Sequence, residues 1–152
     1  MSASSSQPNI LLIFTDQHRL SAVGCYGDTP CQTPNIDRLA AEGVRFETAY
    51  TSCPVCSPAR ATIMTGLFPH AHGVSSNVHN LGNSIHELAD RPSLLSRRLQ
   101  AAGYACGYSG KWHLGTDAQS TFGAPNAPSL PRDVGFEGQR SEERRVGKEC
   151  AT

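Results

Sequence analysis

Cys53-Pro-Val-Cys56-Ser-Pro-Ala-Arg60 is the densest cluster of reactive groups in the sequence. Two cysteines separated by two residues can form a redox couple at a helix start. They can also supply half of a zinc site, provided a second Cys or His pair lies at suitable spacing. His70 and His72 are the nearest such pair, and their spacing of two suits one helix face poorly. Small buried thiols, or one reactive cysteine beside an inert one, fit the same spacing. Cys56 stands just before Pro58, which is placed to open a helix. The free N–H groups and dipole of a helix start favour an anion. Arg60, about one turn on, can return a planar cationic fork to that end. Together these groups suit a tetrahedral oxyanion.

Two further polar groups stand out. Asp16-Gln17-His18-Arg19 follows an apolar run abruptly, and Gly110-Lys111-Trp112-His113 follows a short run of small and aromatic residues. On an extended segment, Lys111 and His113 would project to one side. A lysine there can hold an anion's oxygen, and a histidine can move a proton.

The elements that must position these groups read as alternating strands and helices. Asn9–Phe14 (NILLIF) is a continuous apolar run, the pattern of a strand buried on both faces. Polar groups at the carboxyl end of such a strand lie where open α/β sheets place their sites. Thr33 and Pro34 open a helix with an Ile36, Leu39 and Ala40 stripe, and Gly43 stops it. Val44–Ala49 alternates loosely as a further strand. Pro58 to Met64 reads as a helix ending at Gly66, and Ser93–Ala102 as another ending at Gly103. Tyr104–Ser109 reads as a strand, and Gly115–Gln139 as Pro-, Gly- and Ser-rich loop. The pattern predicts an α/β fold with a largely parallel sheet.

Composition narrows the function classes. The chain has 152 residues and a formal net charge of zero, which excludes binding to nucleic acid through bulk positive charge. The longest clean apolar run, Ile10–Phe14, is far shorter than a membrane span, so no membrane partner is expected. Residues 1–8 carry no basic segment followed by an apolar stretch, which directs the expectation to the cytoplasm. A misplaced start codon would hide a periplasmic or secreted location. Six cysteines without a leader favour free thiols, a metal site or one reactive cysteine over a disulfide scaffold.

Pro54 to Gly66, PVCSPARATIMTG, resembles the signature of type I sulfatases: Cys-x-Pro-x-Arg, a hydrophobic pair, then Thr-Gly. Ala59 stands where that family most often has Ser. In the family a formylglycine-generating enzyme oxidises the cysteine to an aldehyde, formylglycine. The resemblance assigns this to Cys56 and leaves Cys53 a bystander. Hydrated, the aldehyde is a geminal diol. One hydroxyl attacks sulfur in line and releases the alcohol; the other lets the aldehyde reform and expel sulfate. A serine would leave a stable sulfate ester.

The family also places an acidic pair after its first strand as ligands for a divalent cation, Ca²⁺ or Mg²⁺. Here that position reads Asp16-Gln17. Asp16 fits, and the Gln17 amide oxygen can still ligate. The Asp-Gln form resembles the subgroup containing phosphonate monoester hydrolases and some choline- or glycan-type sulfatases. Gly103 to His113 resembles the second family signature, Gly-Tyr-x-Thr with a later Gly-Lys-Trp-His, and Cys106 stands where Thr or Ser is usual. The resemblance implies that Lys111 contacts sulfate, that His113 contacts formylglycine, and that Arg60 steadies the diol and metal. Thr33 to Ala40 resembles a family helix concerned with capping and packing. His18, Arg19, His70 and His72 are weaker candidates for lining the pocket, and His79 and His86 read as loop or surface residues.

The resemblance implies an alkaline-phosphatase-like α/β sandwich acting on a sulfated small molecule or glycan. Residues 9–139 would be the first part of its catalytic domain, after a tail at 1–8. Arg140 to Cys150, RSEERRVGKEC, resembles the translation of a sequencing adapter, so 140–152 is expected to be a non-native tail. The natural gene is then expected to continue past Gln139. The family draws further metal ligands, a Lys and a His from later in its sequence, and no Asp-Asn or Asp-His pair follows residue 120 here. Little or no turnover is therefore expected of these 152 residues alone. The alternatives are a phosphonate or phosphate ester hydrolase on the same scaffold, and a non-catalytic thiol or interaction fragment.

Overall fold

A computed structural model describes residues 7–78, 87–115 and 130–137, and the backbone of 139–140. Two compact units divide the chain, Met1–Ala49 and Tyr50–Thr152.

In the first unit, helix α1 spans Pro34–Glu42, with Pro34 at its first position. The Pro lacks only an N–H that a helix start cannot use. Thr33 holds the N-cap position, but its hydroxyl serves the tertiary structure instead. It accepts from Gly24 N at 2.8 Å and donates to Asp37 Oδ1 at 3.0 Å, and Asp37 Oδ1 also accepts from Cys25 N at 2.7 Å. These bonds tie α1 to a 3-10 turn at Gly24–Tyr26. A Cβ at position 24 would lie 2.7 Å from Asp37 Oδ2, so a larger residue there would push the carboxylate out of these bonds.

Two expectations fail in this unit. Asn9–Phe14 is not a strand, and Leu11 is 84% exposed. Val44–Ala49 is also irregular, with Val44 83% exposed. An apolar run becomes a strand only when a neighbouring strand takes its N–H and C=O groups, and no described strand pairs with either run. The α1 stripe is uncovered for the same reason, with Ile36 and Leu39 both exposed.

The second unit holds the core. Helix α2 spans Cys56–Thr65, α3 spans Pro69–His72 and α4 spans Leu95–Ala101. Strand β1 (Tyr108–Ser109) pairs in parallel with β2 (Gln139–Arg140). Helix α2 starts two residues before Pro58. Its first intrahelical bond runs from Ala59 N to Val55 O, so the proline sits where no N–H is needed. Gly66 ends the helix in the left-handed conformation, φ +69°, and its N–H donates to Thr62 O at 2.8 Å.

Helix α3 replaces an expected loop; Pro69 opens it and Gly73 closes it. Helix α4 lies within the predicted range. Only the last two residues of the predicted Tyr104–Ser109 strand form β1, because only they meet β2. A 3-10 turn at Pro131–Val134 lies in the segment read as loop. Among the described residues, no helix is long and apolar enough to cross a membrane.

Ala61, Met64, Val74, Val78, Leu88, Leu94, Trp112, Leu114 and Val134 form the core cluster. Trp112 is fully buried, with Tyr108 edge-on at 5.2 Å and Phe136 at 6.3 Å. The α2 face that packs inward is therefore set against the segment between Lys111 and His113.

His72 is buried in this unit. Val74 N donates to its Nδ1 at 3.1 Å, which leaves the ring proton on Nε2, 3.2 Å from Thr62 Oγ1. Both contacts suit a neutral ring. Burial holds its pKa below the ordinary histidine value; a hydrogen bond to the Pro58 backbone opposes this, and the charges of Arg91 and His70 act with burial. The unfolded chain therefore binds the extra proton more readily, and stability falls as pH drops below about 6.5. Urea midpoints should decline from pH 7.5 to 5.5, and His72→Gln should flatten the decline. A wild-type midpoint that rises over this interval overturns the assignment. Asp90, held down by its hydrogen bonds to Arg97, loses its contribution only at more acid pH.

Candidate active site

Cys56 is the first residue of α2, with extended Val55 as its N-cap. Arg60 lies one turn later on the same face. Cys56 is half-buried and Arg60 is buried. The Lys111 ammonium donates toward Cys56 Sγ at 3.5 Å. Arg60 Nη1 donates to the Lys111 carbonyl at 2.8 Å, and the Tyr108 hydroxyl donates to the same oxygen. One cation thus reaches the cysteine while a second braces its backbone.

The segment from Lys111 to His113 is not extended as the sequence suggests. Gly110 has φ +107° and His113 φ +52°, and His113 is the one non-glycine residue with positive φ among the described residues. A buried histidine in the left-handed region is strained, and surrounding bonds must hold it there. Its carbonyl accepts from the Ser57 hydroxyl at 2.7 Å. The same hydroxyl accepts from Val78 N at 3.2 Å, and Ser57 N donates to Asn77 Oδ1 at 3.2 Å. His113 thus reaches α2 through its backbone, and the two-apart argument does not describe how its ring is aimed.

The second unit therefore brings Cys56, Arg60, Lys111 and His113 together around the start of α2. Ser57 and Asn77 belong to the same arrangement and were not singled out from sequence; nothing but their place in the motif and the following loop marks them. Cys106, the departure from Thr or Ser, is buried, with its Sγ 3.6 Å from Ser96 O, as a small apolar residue would be. Cys53 and Cys56 are free thiols, as are Cys25, Cys31 and Cys106. His72 is a core residue, whereas His70 is exposed and stacked on Phe68. His79 and His86 lie outside the described residues.

Asp16 and Gln17 form an exposed bend in the first unit, directly after the apolar run, and His18 and Arg19 beside them are exposed too. Their carboxylate and amide oxygens are hard donors that suit Ca²⁺ or Mg²⁺. A Cys56 thiolate is a soft donor and does not; position 56 fits such an ion only as an oxygen derivative. Among the described residues, no three His, Cys, Asp or Glu side chains lie close enough to hold a metal.

Comparison with known proteins fits this geometry. A family model described as Sulfatase matches residues 8–139. An uncharacterized sulfatase of Escherichia coli (strain K12) is 41% identical over 133 residues, covering 87% of this chain and 25% of the relative. Human N-acetylgalactosamine-6-sulfatase is 35% identical over 147 residues, covering 87% and 28%. Among solved structures, a Bacteroides fragilis protein described as a sulfatase matches at TM-score 0.59 and 40% identity, covering 68% of this chain and 23% of its own. The phosphonate monoester hydrolase of Agrobacterium radiobacter matches at TM-score 0.65 and 31% identity, covering 90% and 26%. The fold class is the alkaline-phosphatase-like α/β one, of which the described residues are a strand-poor part. The chain spans about a quarter of the length of the curated relatives it matches.

Proposed function

Because this chain belongs to the sulfatase family, we propose that it supplies the nucleophile and the anion-holding cations of a sulfuric ester hydrolase. The observation that carries the reading is the 3.5 Å approach of Lys111 Nζ to Cys56 Sγ at a helix start. A tetrahedral anion next to Cys56 meets the positive end of the α2 dipole and a lysine, with a buried arginine one turn away.

Each residue has a role in this reading. Position 56, converted from cysteine to formylglycine, supplies the nucleophilic hydroxyl and the route by which sulfate leaves. Lys111 holds a sulfate oxygen and offsets the charge that develops there. His113 moves a proton to or from the reacting hydroxyl. Arg60 fixes the Lys111 backbone and adds positive charge near the nucleophile. Asp16 and Gln17 would supply hard oxygen ligands for Ca²⁺ or Mg²⁺, and the ion would supply Lewis-acid polarisation of the ester.

Co-expression with a formylglycine-generating enzyme tests the reading on the chain as it stands. The peptide carrying Cys56 is expected to lose about 18 Da, the change from CH₂SH to CHO. An unchanged thiol would support the non-catalytic alternative. Gln17 and the similarity to a phosphonate monoester hydrolase favour a second reading, a phosphonate or phosphate ester hydrolase with the same residues. Comparing a sulfate ester with a phosphonate monoester in a full-length enzyme carrying residues 8–139 separates the two.

A further inference from the structure

Ser57 is the unassigned residue inside the Cys-x-Pro-x-Arg motif. It is fully buried, and its hydroxyl serves both His113 O and Val78 N. Ser57 and Arg60 are three residues apart, so they share a face of α2. Their side chains reach the two ends of one tripeptide: Arg60 takes the Lys111 carbonyl and Ser57 the His113 carbonyl. Between these ends Trp112 enters the core.

We infer that Ser57 is a positioning residue, whose hydroxyl fixes the left-handed backbone of His113 and thereby holds the Lys111 ammonium at Cys56. Trp112 alone would anchor the middle of the segment and leave rotation about it open. A hydrogen bond at each end removes that freedom. The strain at His113 requires such a restraint, and the Ser57 hydroxyl is the group that bonds to its carbonyl. Without the hydroxyl, His113 O and Val78 N lose a buried partner, and the segment can relax toward an ordinary backbone conformation. Lys111 would then leave Cys56 while the rest of the core stays packed. The inference rests on the sulfatase reading only in treating Lys111 as an anion-holding group; the geometry is tested without turnover.

The test uses the 152-residue chain expressed without a formylglycine-generating enzyme, so that Cys56 stays a thiol. Alkylation at Cys56 is followed by peptide-resolved mass spectrometry with anionic iodoacetate and neutral iodoacetamide. A lysine close by accelerates the anionic reagent selectively, about fivefold for one unit charge near 4 Å in water. Lys111→Met is expected to remove that preference. Ser57→Ala is expected to remove it as well, with Cys106 still protected, and Ser57→Thr to keep it. If Ser57→Ala retains the wild-type preference, the inference is overturned. If Ser57→Ala also exposes Cys106, the Ser57→Thr and Ser57→Val pair decides, since only one carries the hydroxyl: a preference kept by Thr and lost by Val supports it, and equal behaviour overturns it. Absence of a preference in the wild type overturns the Lys111 placement too.

Discussion

Cys56→Ala, in a full-length enzyme carrying residues 8–139, is expected to take sulfate-ester turnover to background, a fall on the order of 10⁴-fold or more. The substitution removes the nucleophile while leaving the helix start, Arg60 and Lys111 in place, so substrate binding should survive better than turnover. Cys56→Ser is expected to behave differently from Ala. A serine hydroxyl at the start of α2, near the Lys111 ammonium, can attack sulfur once and release one equivalent of alcohol. It has no second hydroxyl with which to expel sulfate. The variant should show a stoichiometric burst and then stop, with about 80 Da added to the peptide carrying position 56. Steady turnover by the Ala variant would remove Cys56 from the chemistry. A burst-free, fully inactive Ser variant would leave Cys56 essential but argue against in-line attack from that position.

Trp112→Ala is expected to destabilise the second unit by about 3–5 kcal/mol, the usual cost of emptying a large aromatic site in a core. Trp112 is fully buried, meets Tyr108 and Phe136 edge-on, and lies in one cluster with residues from α2 and from the Pro131–Val134 turn. A loss of that size approaches the whole stability of a small domain, about 5–15 kcal/mol, so the unit should be largely unfolded at 37 °C. Among the described residues, the indole Nε1 has no hydrogen-bond partner. Trp112→Phe therefore removes a buried donor together with part of the ring, and should cost much less. Denaturant midpoints followed by far-UV circular dichroism would order the three proteins. A Phe variant as unstable as the Ala variant would show that the indole N–H has a partner that matters.

What was legible in the sequence is what depends on near neighbours. Pro34 with Gly43, and Gly66 and Gly103 as stops, mark helix ends by backbone rules that act within a few residues. The Cys56–Arg60 motif fixes its own geometry, because four residues make one helical turn. Helix α3 has the same punctuation, Pro69 and Gly73, but four residues carry no hydrophobic period to distinguish it from a loop. Pro58 marks the start of α2 only to within two residues, because a proline is tolerated at any position in the first turn.

The remainder depends on distant partners. Asn9–Phe14 and Val44–Ala49 have strand composition but no described strand beside them. The turn at His113 is imposed by Trp112 entering the core and by bonds from α2, a helix more than fifty residues earlier. Ser57 looks like an ordinary small residue until its hydroxyl is seen between His113 and Val78.

The uncovered run Asn9–Phe14 has a consequence for handling the chain. Its six residues include no charge, proline or glycine, and five are large apolar side chains. Such a window, left exposed, has the makings of a steric zipper, in which copies from many chains stack their backbones and interlock their side chains. The same residues that suit the middle of a sheet thus set the solubility ceiling of this 152-residue chain, and a single lysine within the run is the gatekeeper that would raise it.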